Sequence, residues 1–129
     1  MKRIVTAVAV AALAIAALAL PATAAIPSFS GSVGPGFTIS LAKKPTKAGK
    51  ITLVISDKAS IHNFHLTAPG GKQVAGFIKK GSKLTPVKSI STSVGSTGTT
   101  TFVLTLKKGT YTFVCDPHSS SLKGSFTVK

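Results

Sequence analysis

The 129-residue sequence has no glutamate, no tryptophan and a single cysteine, Cys115, and its only acidic residues are Asp57 and Asp116. One cysteine excludes an internal disulfide framework and a cysteine-rich zinc site. Two carboxylates, one of them beside the cysteine, argue against hydrolysis by a carboxylate pair. Lysine supplies nearly all of the formal charge of +14, because arginine occurs only at position 3. The length suits one domain.

The N-terminal residues form a separate unit. Met1-Lys2-Arg3 is basic, residues 4–20 are almost wholly apolar, and Ala22-Thr23-Ala24 matches the small-residue cleavage pattern of a signal peptide. We therefore expect a signal peptide over residues 1–24 and an exported protein, secreted, periplasmic or in the cell envelope, without stable membrane insertion after cleavage. The alternative is a retained membrane anchor, which 17 apolar residues just permit.

The remaining sequence predicts strands and turns. Apolar and polar residues alternate over short runs that are separated by glycine and proline, and no segment has sustained helical periodicity. This pattern is typical of an all-β sandwich or barrel. Residues 25–36 are assigned to an N-terminal segment, and residues 89–101 to a loop or irregular edge. The predicted strands span residues 37–41, 51–55, 61–66, 101–106, 111–115 and 124–128.

Two short clusters contain all three histidines and the cysteine. Cys115-Asp116-Pro117-His118 leaves one predicted strand and leads into the next, and His62-Asn63-Phe64-His65 lies about fifty residues upstream. An unpaired cysteine in an exported protein is exposed to oxidation, and binding a metal as thiolate would remove that hazard. Two imidazoles and one thiolate are the trigonal ligand set of a blue-copper electron-transfer site.

Strand parity favours His62 over His65 as the upstream ligand. In a strand over 61–66, His62 shares a face with Phe64 and Leu66, whereas Asn63 and His65 share the other face. If the phenylalanine and the leucine point into the core, His62 lies at the end of that apolar row and faces the metal. Asn63 could then hydrogen-bond the loop that carries the cysteine. The opposite parity would make His65 the ligand.

The sequence resembles the plastocyanin-like cupredoxins. The resemblance rests on the run Tyr111-Thr112-Phe113-Val114-Cys115-Asp116-Pro117-His118, on Lys123-Gly124-Ser125-Phe126-Thr127-Val128, and on the pair His62-Asn63. It implies a Greek-key β-sandwich over residues 37–129 that holds one type 1 copper ion through His62, Cys115 and His118. It also implies one-electron transfer between redox proteins rather than enzyme catalysis.

The axial copper position departs from the family pattern. The family places a methionine a few residues after the second histidine, whereas here the residues are Ser119-Ser120-Ser121-Leu122 and the only methionine is Met1. Leu122 therefore takes the methionine position. Because leucine has no donor atom, we expect a copper site without an axial thioether.

The lysine excess bears on the partners. It could steer the protein toward an acidic redox partner or an anionic envelope surface. Nucleic-acid binding is not expected, because arginine is absent after Arg3 and no basic-aromatic motif occurs. We expect a monomer. Two other functions stay open, a copper-handling protein that exchanges its metal and a lysine-rich extracytoplasmic β-domain with a vestigial site.

Overall fold

The computed structural model describes residues 18–129, so most of the predicted signal peptide lies outside the described residues. Residues 18–27 have no regular secondary structure and are exposed. Within the described range, no helix is long and apolar enough to cross a membrane.

The described residues form a sandwich of two β-sheets. The strands are β1 Ser28–Val33, β2 Ile39–Leu41, β3 Gly49–Asp57, β4 His65–Ala68, β5 Lys72–Gln73, β6 Gly76–Lys80, β7 Lys83–Val87, β8 Ile90–Ser91, β9 Gly98–Leu106, β10 Gly109–Val114 and β11 Lys123–Val128. One sheet has the order β2-β1-β3-β9-β6-β7, and the other has β11-β10-β4-β5 with β8 also paired to β4. The predicted all-β sandwich is confirmed.

Alternating side chains build the core between the sheets. In β3 the inward residues Ile51, Leu53 and Ile55 are buried, and the residues between them are only half-buried. In β10, Tyr111 and Phe113 point inward in the same way. Period-two patterning of this kind fixes the register, because a slip by one residue would expose every one of these side chains.

The two ends of the sandwich carry different residues. Strands β3 and β9 are antiparallel, with Asp57 opposite Gly98 at one end and Gly49 opposite Leu106 at the other. The Asp57 end also carries Cys115, where β10 finishes, and we call it the cysteine end. The opposite end carries the Lys107-Lys108 turn between β9 and β10, and we call it the lysine end.

Several strands differ from the sequence prediction. Strand β1 lies inside the segment 25–36 and pairs in parallel with β3, and its Gly31 has room only for a hydrogen because a Cβ would lie 2.6 Å from Leu41 Cδ2. The sequence analysis missed β1 because most of its residues are serine or glycine, so it lacks the apolar alternation that predicts a strand. The hairpin β6–β7 was missed because its residues are mostly exposed. The predicted strand 61–66 begins only at His65, and residues 89–101 contain β8 and the start of β9.

Candidate metal centre

Three donor atoms converge at the cysteine end. Cys115 Sγ lies 3.5 Å from Nδ1 of His62 and 3.5 Å from Nδ1 of His118, and the two nitrogens are 3.2 Å apart. The three donor atoms are therefore close enough together to bind one ion. Cys115 and His62 are fully buried, and His118 is half-buried. The geometry and the donor set therefore fit one metal ion of the copper type.

A short loop between β10 and β11 positions Cys115 and His118. The His118 amide donates to the Cys115 carbonyl at 3.0 Å, and the Leu122 amide donates to the His118 carbonyl at 2.8 Å. The Cys115 amide donates to the Leu122 carbonyl at 3.0 Å, which closes the loop. Pro117 lies in the first turn of the 3-10 helix over Asp116–His118, where its missing amide hydrogen has no helical partner to lose. The thiol and the imidazole are thus brought together by backbone hydrogen bonds.

Buried polar contacts hold His62, which lies in a turn before β4. Its amide donates to the Ala59 carbonyl at 3.1 Å. Nearby, the Thr92 hydroxyl donates to the buried carboxylate of Asp57 at 2.9 Å and accepts the Phe64 amide at 2.8 Å. Asp57 therefore ties the end of β3 to the segment that follows His62.

Asn63 joins the two ligand segments. Its Oδ1 accepts the Asp116 amide at 2.8 Å, and its Nδ2 donates to Asp116 Oδ2 at 2.7 Å. Asn63 is buried whereas Asp116 is 51% exposed, and the two bonds hold the residue that follows Cys115. The sequence prediction that Asn63 contacts the cysteine-bearing loop agrees with this geometry.

His65 lies outside the donor triangle. Its Nδ1 lies 2.9 Å from Asp116 Oδ1, and its Nε2 lies 3.0 Å from Gln73 Oε1 and 3.2 Å from Ser89 Oγ. Burial alone would lower the pKa of His65, but the bonds to Asp116 and Gln73 and the aspartate charge outweigh it and raise this pKa. Burial likewise opposes ionisation of Asp116, yet hydrogen bonds from Asn63 and His65 lower its pKa.

Phe37 is a site residue that the sequence pattern did not reveal. Its ring lies edge-on to both imidazoles, with centroids 5.3 Å from His62 and 5.0 Å from His118, although it is 65% exposed. Sequence periodicity placed Phe37 in a half-buried strand, which is wrong because β2 starts at Ile39. The sequence feature that could have indicated a loop here is Gly34-Pro35-Gly36, which directly precedes Phe37. Gly34 has a φ of +73°, a conformation that favours glycine.

Leu122, the residue at the expected axial position, is buried and belongs to the core cluster. It carries no donor atom toward a metal, and only its backbone groups make polar contacts in the loop. His62 Nε2 is buried and has no hydrogen-bond partner among the described residues. If Nδ1 binds a metal, the proton must sit on Nε2, so the histidine is oriented by packing rather than by the usual second hydrogen bond.

Comparison with known families identifies the chain. Residues 36–129 match the copper binding proteins, plastocyanin/azurin family. The chain belongs to this family. Its members are electron carriers rather than enzymes, so the expectations of a copper-binding protein without catalytic activity are confirmed. The candidate copper-binding residues in this cupredoxin are His62, Cys115 and His118.

Solved structures similar to this cupredoxin include amicyanin and auracyanin. A reduced Cu(I) variant of amicyanin is 18% identical, with 82% of this chain and 86% of that chain covered and a TM-score of 0.47. Reduced auracyanin from Roseiflexus castenholzii is 17% identical, with 82% and 99% covered and a TM-score of 0.48. No curated protein sequence matches the chain.

Proposed function

We propose that this cupredoxin carries single electrons between redox proteins through one type 1 copper ion bound by His62, Cys115 and His118. The observation that carries the proposal is the convergence of one thiol sulfur and two imidazole nitrogens within 3.5 Å of one another. Copper held by such donors supplies reversible one-electron transfer between its cuprous and cupric forms.

The surrounding residues suit this role. Cys115 binds as the thiolate, and His62 and His118 bind through neutral Nδ1 atoms. Asn63 holds the loop in position through Asp116, so the donors need little rearrangement when the charge of the site changes. The Phe37 ring packs in a T-shaped arrangement against both imidazoles and helps to hold them in place.

The docking surface for a redox partner lies around His118, the half-buried ligand. Phe37, Ile61 and Val94 are exposed apolar residues, 65%, 54% and 50% exposed, and they come from loops of the cysteine end. An apolar rim around a partly exposed ligand suits a short-lived complex with a partner protein. The partner receives or donates one electron at this surface.

Burial favours electron transfer over copper delivery. A delivery protein must release its metal to an acceptor, which requires ligands that another protein can reach. Cys115 and His62 are both 0% exposed, so exchange would need the site to open. A buried thiolate instead suits an ion that stays in place during turnover.

We also propose that the protein acts outside the cytoplasm as a monomer after removal of residues 1–24. Mass spectrometry of the purified native protein should give an N-terminus within a few residues of Ala25. An intact Met1 terminus on material that only detergent extracts would replace this with the anchored alternative.

The test of function is to add Cu(II) to the purified protein and record visible and electron paramagnetic resonance spectra. We expect an intense thiolate-to-copper absorption band and reversible voltammetry. The matched control is Cys115→Ser, which replaces the only sulfur of the described residues and should abolish the band. Either failure would overturn the electron-transfer proposal: copper binding without the band would leave the copper-handling alternative, and no copper binding would leave the vestigial β-domain.

A further inference from the structure

The lysine end carries charge of one sign. Six lysines lie in its loops and turns, and all are exposed. Both aspartates, Asp57 and Asp116, lie at the cysteine end, so no acidic side chain of the described chain offsets them. Six like charges on one end create a local positive potential that attracts anions. The six are Lys43, Lys44, Lys47, Lys107, Lys108 and Lys129.

The backbone gathers these lysines although they are distant in sequence. Lys43 and Lys44 follow β2, and Lys47 precedes β3. The Lys129 amide donates to the Thr46 carbonyl at 3.0 Å, which brings the end of β11 beside the same loop. Strands β9 and β10 supply the Lys107-Lys108 turn.

A groove of about 390 Å³ opens among four lysines at this end, Lys43, Lys44, Lys47 and Lys50. Its remaining walls include the apolar side chains of Phe29 and Ile51. Lysines at the rim suit phosphate groups, and an apolar floor suits the less polar part of a lipid headgroup region. A soluble polyanion would use the rim but not the floor.

The course of the chain points the same way. The Thr52 amide donates to the Pro27 carbonyl at 2.9 Å, so the chain enters β1 at the lysine end. The sequence before this entry is the apolar run 4–20, whose length and composition suit a bilayer. Until residues 1–24 are removed, a membrane that holds this run would face the lysine end.

We propose that the lysine end binds the surface of an anionic phospholipid bilayer and leaves the cysteine end facing away from it. Phosphate groups of the headgroups pair with the lysine ammonium groups, and the groove accommodates a headgroup. The proposal does not depend on copper, because no ligand residue lies at this end.

Two triple variants with equal charge loss test the surface. Lys43, Lys44 and Lys47 are changed to Gln in one variant, and Lys79, Lys80 and Lys83 of the β6–β7 hairpin in the other. The hairpin is a matched control because β6 runs antiparallel to β9 and carries its lysines away from the lysine end. Binding of the full chain is measured on phosphatidylcholine vesicles with and without phosphatidylglycerol, so the difference removes any contribution of the apolar N-terminus.

We expect salt-sensitive binding to the phosphatidylglycerol vesicles only. Each lysine near an anionic surface contributes about fivefold, so the lysine-end variant should lose about a hundredfold. The hairpin variant should lose several-fold less, because β6 carries its lysines toward the cysteine end. Equal losses would mean that net charge alone drives binding and would overturn the proposal. So would tight binding to inorganic polyphosphate without binding to vesicles.

Trace acetylation of the unaltered chain decides the orientation without any variant. Vesicles should protect Lys107 and Lys108, and should leave Lys58 and Lys123 at the cysteine end reactive. Protection of Lys58 and Lys123 instead would mean that the cysteine end faces the membrane, and it would refute the proposal. Thermal unfolding of both triple variants checks that exposed substitutions leave the fold intact.

Discussion

The two ends of this sandwich use their polar residues in different ways. At the cysteine end, buried Asp57, His62 and Asn63 make short hydrogen bonds or converge on the thiol, so each has one geometry. At the lysine end, the lysine side chains are exposed to water. A substitution at the cysteine end therefore acts through the position of atoms, whereas one at the lysine end acts through charge. Experiments that change one end and use the other as control separate these effects.

The largest effect is expected from removing one of the two upstream histidines, His62, and not from removing the other, His65. His62→Ala removes a buried donor 3.5 Å from the thiol and should abolish the normal visible spectrum of the copper-loaded protein. His65→Ala removes contacts to Asp116, Gln73 and Ser89 but none of the three converging donor atoms, so it should leave that spectrum largely intact. Visible absorption of the two variants, loaded side by side, checks this. If His65→Ala bleaches the site while His62→Ala does not, His65 is the ligand.

A methyl group at Gly124 should lower stability substantially. A Cβ there would overlap the Phe113 ring, which has little room to shift because it is buried and stacked on Phe64 with centroids 5.6 Å apart. Overpacking of this kind costs about 1–3 kcal/mol of the free energy of unfolding. Gly36→Ala is the control, since a Cβ there meets no atom within 4 Å. Chemical denaturation of both variants gives the difference, and equal stability would show that the ring can shift.

Leu122→Met should lower the reduction potential of the copper-loaded protein. A thioether stabilises the cupric form, and the two side chains have nearly the same volume. A shift of about 59 mV corresponds to a tenfold change, or about 1.4 kcal/mol. Leu106→Met, in the core beside the lysine end, should leave the potential unchanged. Voltammetry that finds an unchanged or raised potential for Leu122→Met would show that another group occupies the axial position.

The smallest effect is a pH dependence of stability from the pair His65 and Asp116. Because the pKa of His65 is raised in the folded protein, its contribution to stability is fully present below about pH 6.5. This contribution is lost as the pH rises through the pKa of the folded state. Because the pKa of Asp116 is lowered in the folded protein, its contribution to stability is present above about pH 4. This contribution is lost as the pH falls through the pKa of the folded state. The pair therefore stabilises most between these limits.

His65→Gln measures this contribution. Asp116 is 51% exposed, so the pair is worth only about 0.5 kcal/mol. The stability difference from the unaltered protein should be present near pH 5.5 and shrink toward about pH 9. Thr110→Ala, which removes a neutral 3.0 Å contact to Thr127 at the lysine end, should give a difference that does not vary with pH. A stability difference between His65→Gln and the unaltered protein that grows as the pH rises would contradict the raised pKa of His65.

The sequence predicted the sandwich and the clustering of His62, Cys115 and His118, because apolar alternation and the spacing of rare residues are visible along the chain. Strand β1 was missed, since its serines and Gly31 pack by close backbone approach rather than by apolar side chains. The parity argument reached His62 through a strand that is absent at that residue. The contact of Phe37 with both imidazoles depends on a loop conformation, which no periodicity predicts.

The pairing of β10 with β11 limits how the chain can change in length. Val114 and Lys123 are the last partners before the loop, and the Cys115–Leu122 backbone bond closes it. An insertion within β10 would turn Tyr111 and Phe113 out of the core, because side chains alternate. An insertion between His118 and Leu122 would shift neither strand. Insertions and deletions are therefore tolerated best in the same few residues that decide which group reaches the metal, so loop length and copper chemistry can vary together while the sandwich stays unchanged.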